Sequence, residues 1–411
     1  MDWSLFFAQY GAFLKLALVF LSVVVLIKLK KPLSFSIAVA SVITVLIYGI
    51  PLEKAAVIAG KSLISSATIM VIVTCYLITF LQRMMEQQGD LDLAQRSMSR
   101  IFNNRRVNAS VTPAFIGLLP SPGAIFIAGS MVDKACGDYL SKEDKTFVAS
   151  FFRHIPESFL PTYSSIILAC QLTGIQMGSF VLGMIPMVAV LMLLGYYFYL
   201  RKLPKETGEA PSENKAADVK SLLVSLWPII FVIVAIVGFH ISVYVATLAA
   251  IVLYFFIGKF KVQDVLPYFL SAWEWKIVIN TFVVMIFKDL LTYTNVISAL
   301  PDLFAQLPIP AFLVFGLIVF VGSIVAGSLA MITLCIPMAF AAIPGAGLPL
   351  MLFLMSITYV AMQVSPTHIC LTLASEYFET SFGDLVKRTL PVIGVFLVIL
   401  TFYYLGLTVI L

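Results

Sequence analysis

The chain has 411 residues, of which 61% are hydrophobic and 11% charged, and a formal net charge of +5. Soluble domains carry roughly a quarter charged residues, so this balance, with a mean hydropathy of +1.03, excludes a sizeable water-soluble domain. Apolar runs of about 20 residues, the length a membrane span needs, recur where a membrane β-barrel would show short alternating strands.

An all-α polytopic membrane protein follows, because lipid offers the backbone no hydrogen-bond partner and a helix satisfies its own. The first ten residues carry only Asp2 and no basic stretch, which does not read as a cleaved signal peptide. In chain order, a span at about 11–27 ends on Lys28, Lys30 and Lys31, and a second runs from about 34 to 50. An amphipathic piece at 51–61 precedes a third span at 64–81. Residues 83–106 are too charged to cross and read as an amphipathic segment at the headgroups. The stretch 107–132 is apolar but split at Pro120-Ser121-Pro122-Gly123, and 147–172 is split at Arg153-His154-Ile155-Pro156-Glu157-Ser158. A span at 180–199 closes this half, residues 1–200, and a hydrophilic linker rich in Lys, Glu, Pro and Ala occupies 201–220.

The second half, 221–411, repeats the order. Spans at 222–239 and 241–257 lead to an amphipathic piece at 259–275, a span at 277–291 and a more polar intermission at 292–307. The stretch 309–343 is broken near Gly322 and Ala326-Gly327-Ser328, 348–373 is broken at Ser365-Pro366-Thr367-His368, and a last span covers 390–411. Pro156 and Pro366 stand 210 residues apart, the same offset as between 51–61 and 261–271. Interrupted segments at matching places in two halves are the sequence mark of a transporter binding site between repeats.

Basic residues test the arrangement, since they collect on the cytoplasmic side. Five crossing spans and one re-entrant hairpin in each half, with both termini outside, place the Lys28–Lys31 cluster and the basic residues of 83–106 inside. The same arrangement puts Lys134, Lys142, Lys145, the linker, Lys259, Lys261, Lys276, Lys387 and Arg388 inside, leaving only Lys54 and Lys61 outside. The odd number of crossings inverts the second repeat relative to the first. Treating the hairpins as full spans spoils the agreement.

A proline inside a span frees a carbonyl and removes a donor, an irregularity that survives at membrane depth only inside protein or beside a water-filled cavity. The two tips and two breaks are therefore expected to meet at one site. Helix ends there suit an anion, while freed carbonyls and hydroxyls suit a cation. The candidates for a small anionic substrate are Ser121, Pro122 and Gly123 at the first tip, Ser323, Gly327 and Ser328 at the second, and Ser158, Ser365 and Thr367 at the breaks. Arg153, His154, Glu157 and His368 lie deep in apolar runs, where ionisable groups are functional by default. Arg153 suits a substrate carboxylate. His154, Glu157, Thr162 and His368 are the candidates for a coupling proton or Na+. Arg153 and Glu157 also stand at i,i+4 spacing, so an internal ion pair is an equal reading.

Other features read as bland. Small residues at the breaks also permit close helix packing, His240 falls at a tight turn, and Lys288-Asp289 suits a local pair or snorkelling. The five cysteines, Cys75, Cys136, Cys170, Cys335 and Cys370, form no CxxC pair and indicate neither a metal site nor a disulfide framework. No Walker A, GxGxxG or HExxH pattern occurs, which disfavours an ATP-driven pump or zinc protease, and neither a cofactor nor a nucleic-acid partner is expected.

The layout, with Leu119-Pro120-Ser121-Pro122-Gly123-Ala124 and Ser365-Pro366-Thr367-His368-Ile369-Cys370-Leu371, resembles the ion transporter superfamily. That group holds divalent-anion:sodium symporters and citrate, gluconate and C4-dicarboxylate carriers. Within it the chain is most similar to an uncharacterised bacterial and archaeal integral membrane family of unknown function. The resemblance implies an elevator-type homodimer in the inner membrane. The first two spans and amphipathic piece of each half would form its scaffold, and the hairpins and broken spans its moving part. The Ser-Asn-Thr tip motifs of the sodium symporters are replaced here by Pro-Ser-Pro-Gly and Ala-Gly-Ser. Cation-coupled transport of a small organic anion, most simply a carboxylate, is the function expected. The alternatives are a non-transporting subunit of a larger complex and an intramembrane enzyme acting on lipid through Glu157 and a histidine.

Overall fold

The computed structural model describes residues 3–117, 124–206, 214–295, 308–366 and 368–410, and every regular element within them is helical. The first half holds α1 (Trp3–Lys28), α2 (Leu33–Ile47), α3 (Leu52–Leu63), α4 (Ser66–Gln87) and α5 (Asp90–Ile101). It continues with α6 (Arg105–Ile116), α7 (Ala124–Cys136), α8 (Lys142–His154), α9 (Ser164–Thr173) and α10 (Met177–Phe198). Local chemistry sets the boundaries. Pro32 and Pro51 stand at the starts of α2 and α3, where a missing N–H costs nothing. The side chains of Ser65, Asn104 and Ser141 accept hydrogen bonds from the first-turn amides of α4, α6 and α8.

The second half holds α11 (Lys215–Phe239), α12 (Val243–Ile257), α13 (Val262–Ser271) and α14 (Trp275–Tyr293). Then come α15 (Ala311–Ala326), α16 (Ser328–Ala342), α17 (Gly347–Met362), α18 (Ile369–Tyr377) and α19 (Phe382–Ile410). The hydrophilic linker is shorter than the sequence suggests. Asn214 caps α11 by accepting from the Ala217 amide, so Lys215, Asp218 and Lys220 already lie on a helix. The charged segment 83–106 also divides: Arg83 belongs to α4, which runs on to Gln87, and α5 packs against α11, with Ala94 in their shared apolar cluster. The intermission at 292–307 lies largely outside the described residues.

Among the described residues, four helices are long and apolar enough to cross a membrane: α4, α10, α11 and α19. A fifth span results if α13 and α14, bent by 47°, count as one. Most other apolar helices have 10–16 residues. At 1.5 Å per residue these reach roughly 15–24 Å, short of the roughly 30 Å of hydrocarbon. The consecutive helices α6 and α7 pack against each other as a hairpin, and so do α15 and α16.

The core lies around α8, α9, α16 and α17. Every residue of α17 from Pro349 to Ala361 is buried, and α8 is buried from Thr146 to His154. Large apolar side chains cover the outside instead: Leu46, Phe256, Phe402 and Val409 are each at least 70% exposed. A helix apolar all round belongs in a core or against lipid. Several contacts between the halves come in exchanged pairs. α2 packs on α14 and α12 on α4; α3 meets α14 and α13 meets α4; α9 meets α16 and α18 meets α7; α8 meets α19 and α10 meets α17.

Candidate functional site

Both broken helices are interrupted by the same backbone device. Pro156 has no N–H for the Phe152 carbonyl, and the amide of the preceding Ile155 takes that carbonyl in 3-10 fashion. Pro366 likewise cannot reach the Met362 carbonyl, which accepts from the amide of Ser365 at 3.1 Å. After the first break the chain turns through 155–158 and is not helical again until Ser164; after the second it resumes at Ile369. The second hairpin reverses at Gly327, whose φ of +89° and ψ of 150° are open in practice only to glycine.

The two breaks meet. His154 Nε2 lies 2.9 Å from His368 Nε2, a contact between residues 214 positions apart. His154 Nδ1 is 2.6 Å from the Ser150 carbonyl. A carbonyl only accepts, so Nδ1 carries a proton and the Nε2 lone pair of neutral His154 faces His368, which donates. Beside this pair, Arg153 Nη1 donates to Glu157 Oε1 at 2.7 Å, and the same oxygen stands 4.0 Å from His154 Nε2. The i,i+4 ion pair therefore forms, across the proline rather than prevented by it. Arg153 and His154 are 1% and 0% exposed, so both sit in a medium where leaving either charge of the pair unpaired would be costly.

The other candidates fall as follows. Ser158 is buried and its hydroxyl donates to the Ile155 carbonyl at 2.7 Å, closing the first break on itself. Ser365 donates to the Ile324 carbonyl at 2.8 Å, and Ser328 to the Thr358 carbonyl at 3.2 Å, so the second tip is tied to the second broken helix on both sides. Ser323 is fully buried, and its hydroxyl has no hydrogen-bond partner among the described residues. Thr162 stands apart from the histidines and lines a small pocket with Ile78, Leu81 and Gln82 of α4 and Ile229, Val232 and Thr247. Ser121, Pro122, Gly123 and Thr367 lie outside the described residues. The helix leading to the first tip does reach the site. Gly117 comes so close to the first break that a Cβ there would meet the Arg153 carbonyl oxygen at 2.0 Å, and the Tyr163 hydroxyl donates to the Gly117 carbonyl.

Sequence reasoning missed four side chains. Cys370 brings its Sγ within 4.8 Å of ligand atoms of both His154 and His368. Tyr163 closes α6 onto the break. Tyr359 and Gln363, on α17 and just after it, are buried, and Tyr359 Oη and Gln363 Nε2 lack partners among the described residues. His-x-Cys spacing directly after Pro366 was a legible signal for Cys370; the other three sit in apolar runs that offer none. Asp289 also differs from expectation, accepting from Ser62 Oγ at 2.5 Å rather than serving a merely local pair.

A cavity of about 360 Å³ lies elsewhere and is not lined by His154 or His368. It lies between Met70, Val71 and Thr74 of α4, Ile167 to Met177 around the end of α9, and His240 to Tyr244. Thr74, Ile78 and Leu81 follow one face of α4, so this cavity and the Thr162 pocket lie along the same helix on the way to the first break.

Apolar helices of membrane-spanning length around a buried centre of paired ionisable groups define a polytopic membrane protein. The chain belongs to a family of proteins of unknown function, DUF401, whose model it matches over residues 12–410. No curated protein matches it.

Proposed function

We propose that the protein is a cation-coupled secondary transporter of a small organic anion, a carboxylate, in the cell (inner) membrane. The observation that carries this reading is the meeting of two proline-broken helices from the two halves through His154 and His368, with the second hairpin tip tied alongside through Ser365 and Ser328. Buried ionisable groups at a helix break, between matched halves, are where transporters bind substrate and coupling ion.

The halves are two inverted repeats. Their exchanged packing, α2 on α14 and α12 on α4, α9 on α16 and α18 on α7, and their identical proline device support this. The topology has both termini outside and the linker in the cytoplasm. Polar contacts between segments support it, because each joins residues assigned to one side. Lys142 pairs with Glu379, Asp144 with Lys202 and Arg388, Arg83 with Glu274, and Tyr254 with Asp90, all assigned inside. Ser62 pairs with Asp289, both assigned outside. The cavity beside His240 then opens outward and runs along α4 toward Thr162, giving a route to the break.

Transport is of the elevator type: α1–α3 and α11–α13 form a dimer-making scaffold, and the hairpins with α8–α9 and α17–α18 move. Family likeness to the ion transporter superfamily adds to this reading. Reconstituted protein is expected to take up a small radiolabelled carboxylate only under an imposed proton or Na+ gradient. A broad carboxylate panel giving neither uptake nor thermal stabilisation overturns the reading.

A further inference from the structure

We infer that His154, His368 and Cys370 form a binding site for a d10 transition-metal ion of the Zn2+ or Cu+ class, placed where the two broken helices meet. Three observations carry it, none of which depends on transport.

First, the donor set is chemically coherent. Two imidazoles and a thiol bring their donor atoms within 4.8 Å of one another in the protein interior. Nitrogen and sulfur ligands of this kind select Zn2+ and Cu+ over Na+, Mg2+ or Ca2+, which take oxygen. In a tetrahedral zinc site, with Zn–N near 2.0–2.1 Å and Zn–S near 2.3 Å, donor atoms stand roughly 3.4–3.7 Å apart. Closing the cluster on an ion therefore changes donor separations by at most about 1.4 Å, and widens the 2.9 Å contact between the two Nε2 atoms.

Second, His154 is already oriented as a ligand. Its Nδ1–H is committed to the Ser150 carbonyl at 2.6 Å, which fixes the tautomer and aims the Nε2 lone pair at the cluster. A metal-ligating histidine almost always gives its other ring N–H to such a partner.

Third, a fourth position is at hand. Glu157 Oε1 stands 4.0 Å from His154 Nε2, so its carboxylate can supply that position. His368 and Glu157 are only partly buried and the neighbouring Ile369 is 59% exposed, so an ion can enter from the α18 side. Binding to the thiol releases its proton to solvent, so affinity rises with pH.

Co2+ titration of the purified, metal-stripped full chain in detergent reads the site directly. One equivalent is expected to give a thiolate-to-cobalt charge-transfer band in the near ultraviolet together with intense tetrahedral d–d bands, and Zn2+ is expected to bleach both stoichiometrically while Mg2+ does not. Cys370→Ser should remove the charge-transfer band, and His368→Gln should weaken Co2+ binding by at least tenfold. His240→Ala should change neither. The unmutated protein alone can overturn the site: absence of the charge-transfer band on Co2+ addition does so even if every variant misfolds. A band that persists in Cys370→Ser assigns the thiolate to another cysteine and also overturns it. Because these readouts involve no flux, a protein that binds Zn2+ but moves no carboxylate would retain this site and lose only the transport reading.

Discussion

The Arg153–Glu157 pair shows how a single contact serves two readings. With the pair 2% and 15% exposed, removing one partner strands the other charge, which costs about 3–5 kcal/mol, while replacing both by apolar side chains of similar size is often neutral. Arg153→Met and Glu157→Leu are each expected to lower the thermal midpoint sharply, and the double variant to recover most of it. If the pair also serves the site, the recovered double variant will show no gradient-driven uptake. Uptake at the unmutated rate would reduce the pair to architecture. Gly327 carries a conformational load of its own: at φ +89° and ψ 150°, Gly327→Ala should lose about 1–3 kcal/mol of stability, measured by chemical or thermal unfolding in detergent. A Gly327→Ala protein as stable as the parent would mean that the tip relaxes to another backbone shape.

Among elements, the decisive feature is that short helices cooperate. α17 and α18, with 16 and 9 residues, each fall short of a bilayer, and so do α8 and α9. In the proposed topology they cross as pairs, and neighbours hold each interruption: the Ser365 hydroxyl on the Ile324 carbonyl and the Tyr163 hydroxyl on the Gly117 carbonyl. The shorter amphipathic α3 is fastened to α14 through Ser62 and Asp289. Hydrogen bonds to a charged partner contribute about 1.5–3 kcal/mol, so Ser62→Ala should destabilise by that order. Ser62→Ala and Asp289→Ala should also couple, their combined cost falling short of the sum by about 0.5–3 kcal/mol in a double-mutant cycle. Strict additivity would show that the contact contributes nothing.

For the whole molecule, the arrangement of charge is the testable property. All five cysteines are buried, so an introduced cysteine at an exposed position becomes the one an impermeant maleimide reaches. In right-side-out vesicles, Lys54→Cys is expected to label at once, and Lys205→Cys only after permeabilisation. The reverse result would invert the orientation, and labelling of both from one face would break the odd-crossing scheme. Leu46, Phe256, Phe402 and Val409 are among many large apolar side chains left exposed, in keeping with a lipid boundary.

Read as sequence alone, the chain determined its helical class, its membrane character and the places where its helices break. These depend on composition, on apolar run length and on Pro156 and Pro366, each of which acts within a few residues of itself. The same local logic located α3, α13 and the reversal at Gly327. Side chains brought together over long separations were decided only by tertiary packing. The His368-Ile369-Cys370 spacing hinted at a shared role for those two, but nothing near them indicates that they meet His154, or that Tyr163 reaches back to Gly117. The i,i+4 spacing allowed an ion pair between Arg153 and Glu157, but the bent backbone after Pro156 had to be built before that pair could be seen to form. Helix existence is a property of runs, whereas a site is a property of which runs pack against each other, and that is settled by shape complementarity across the bundle.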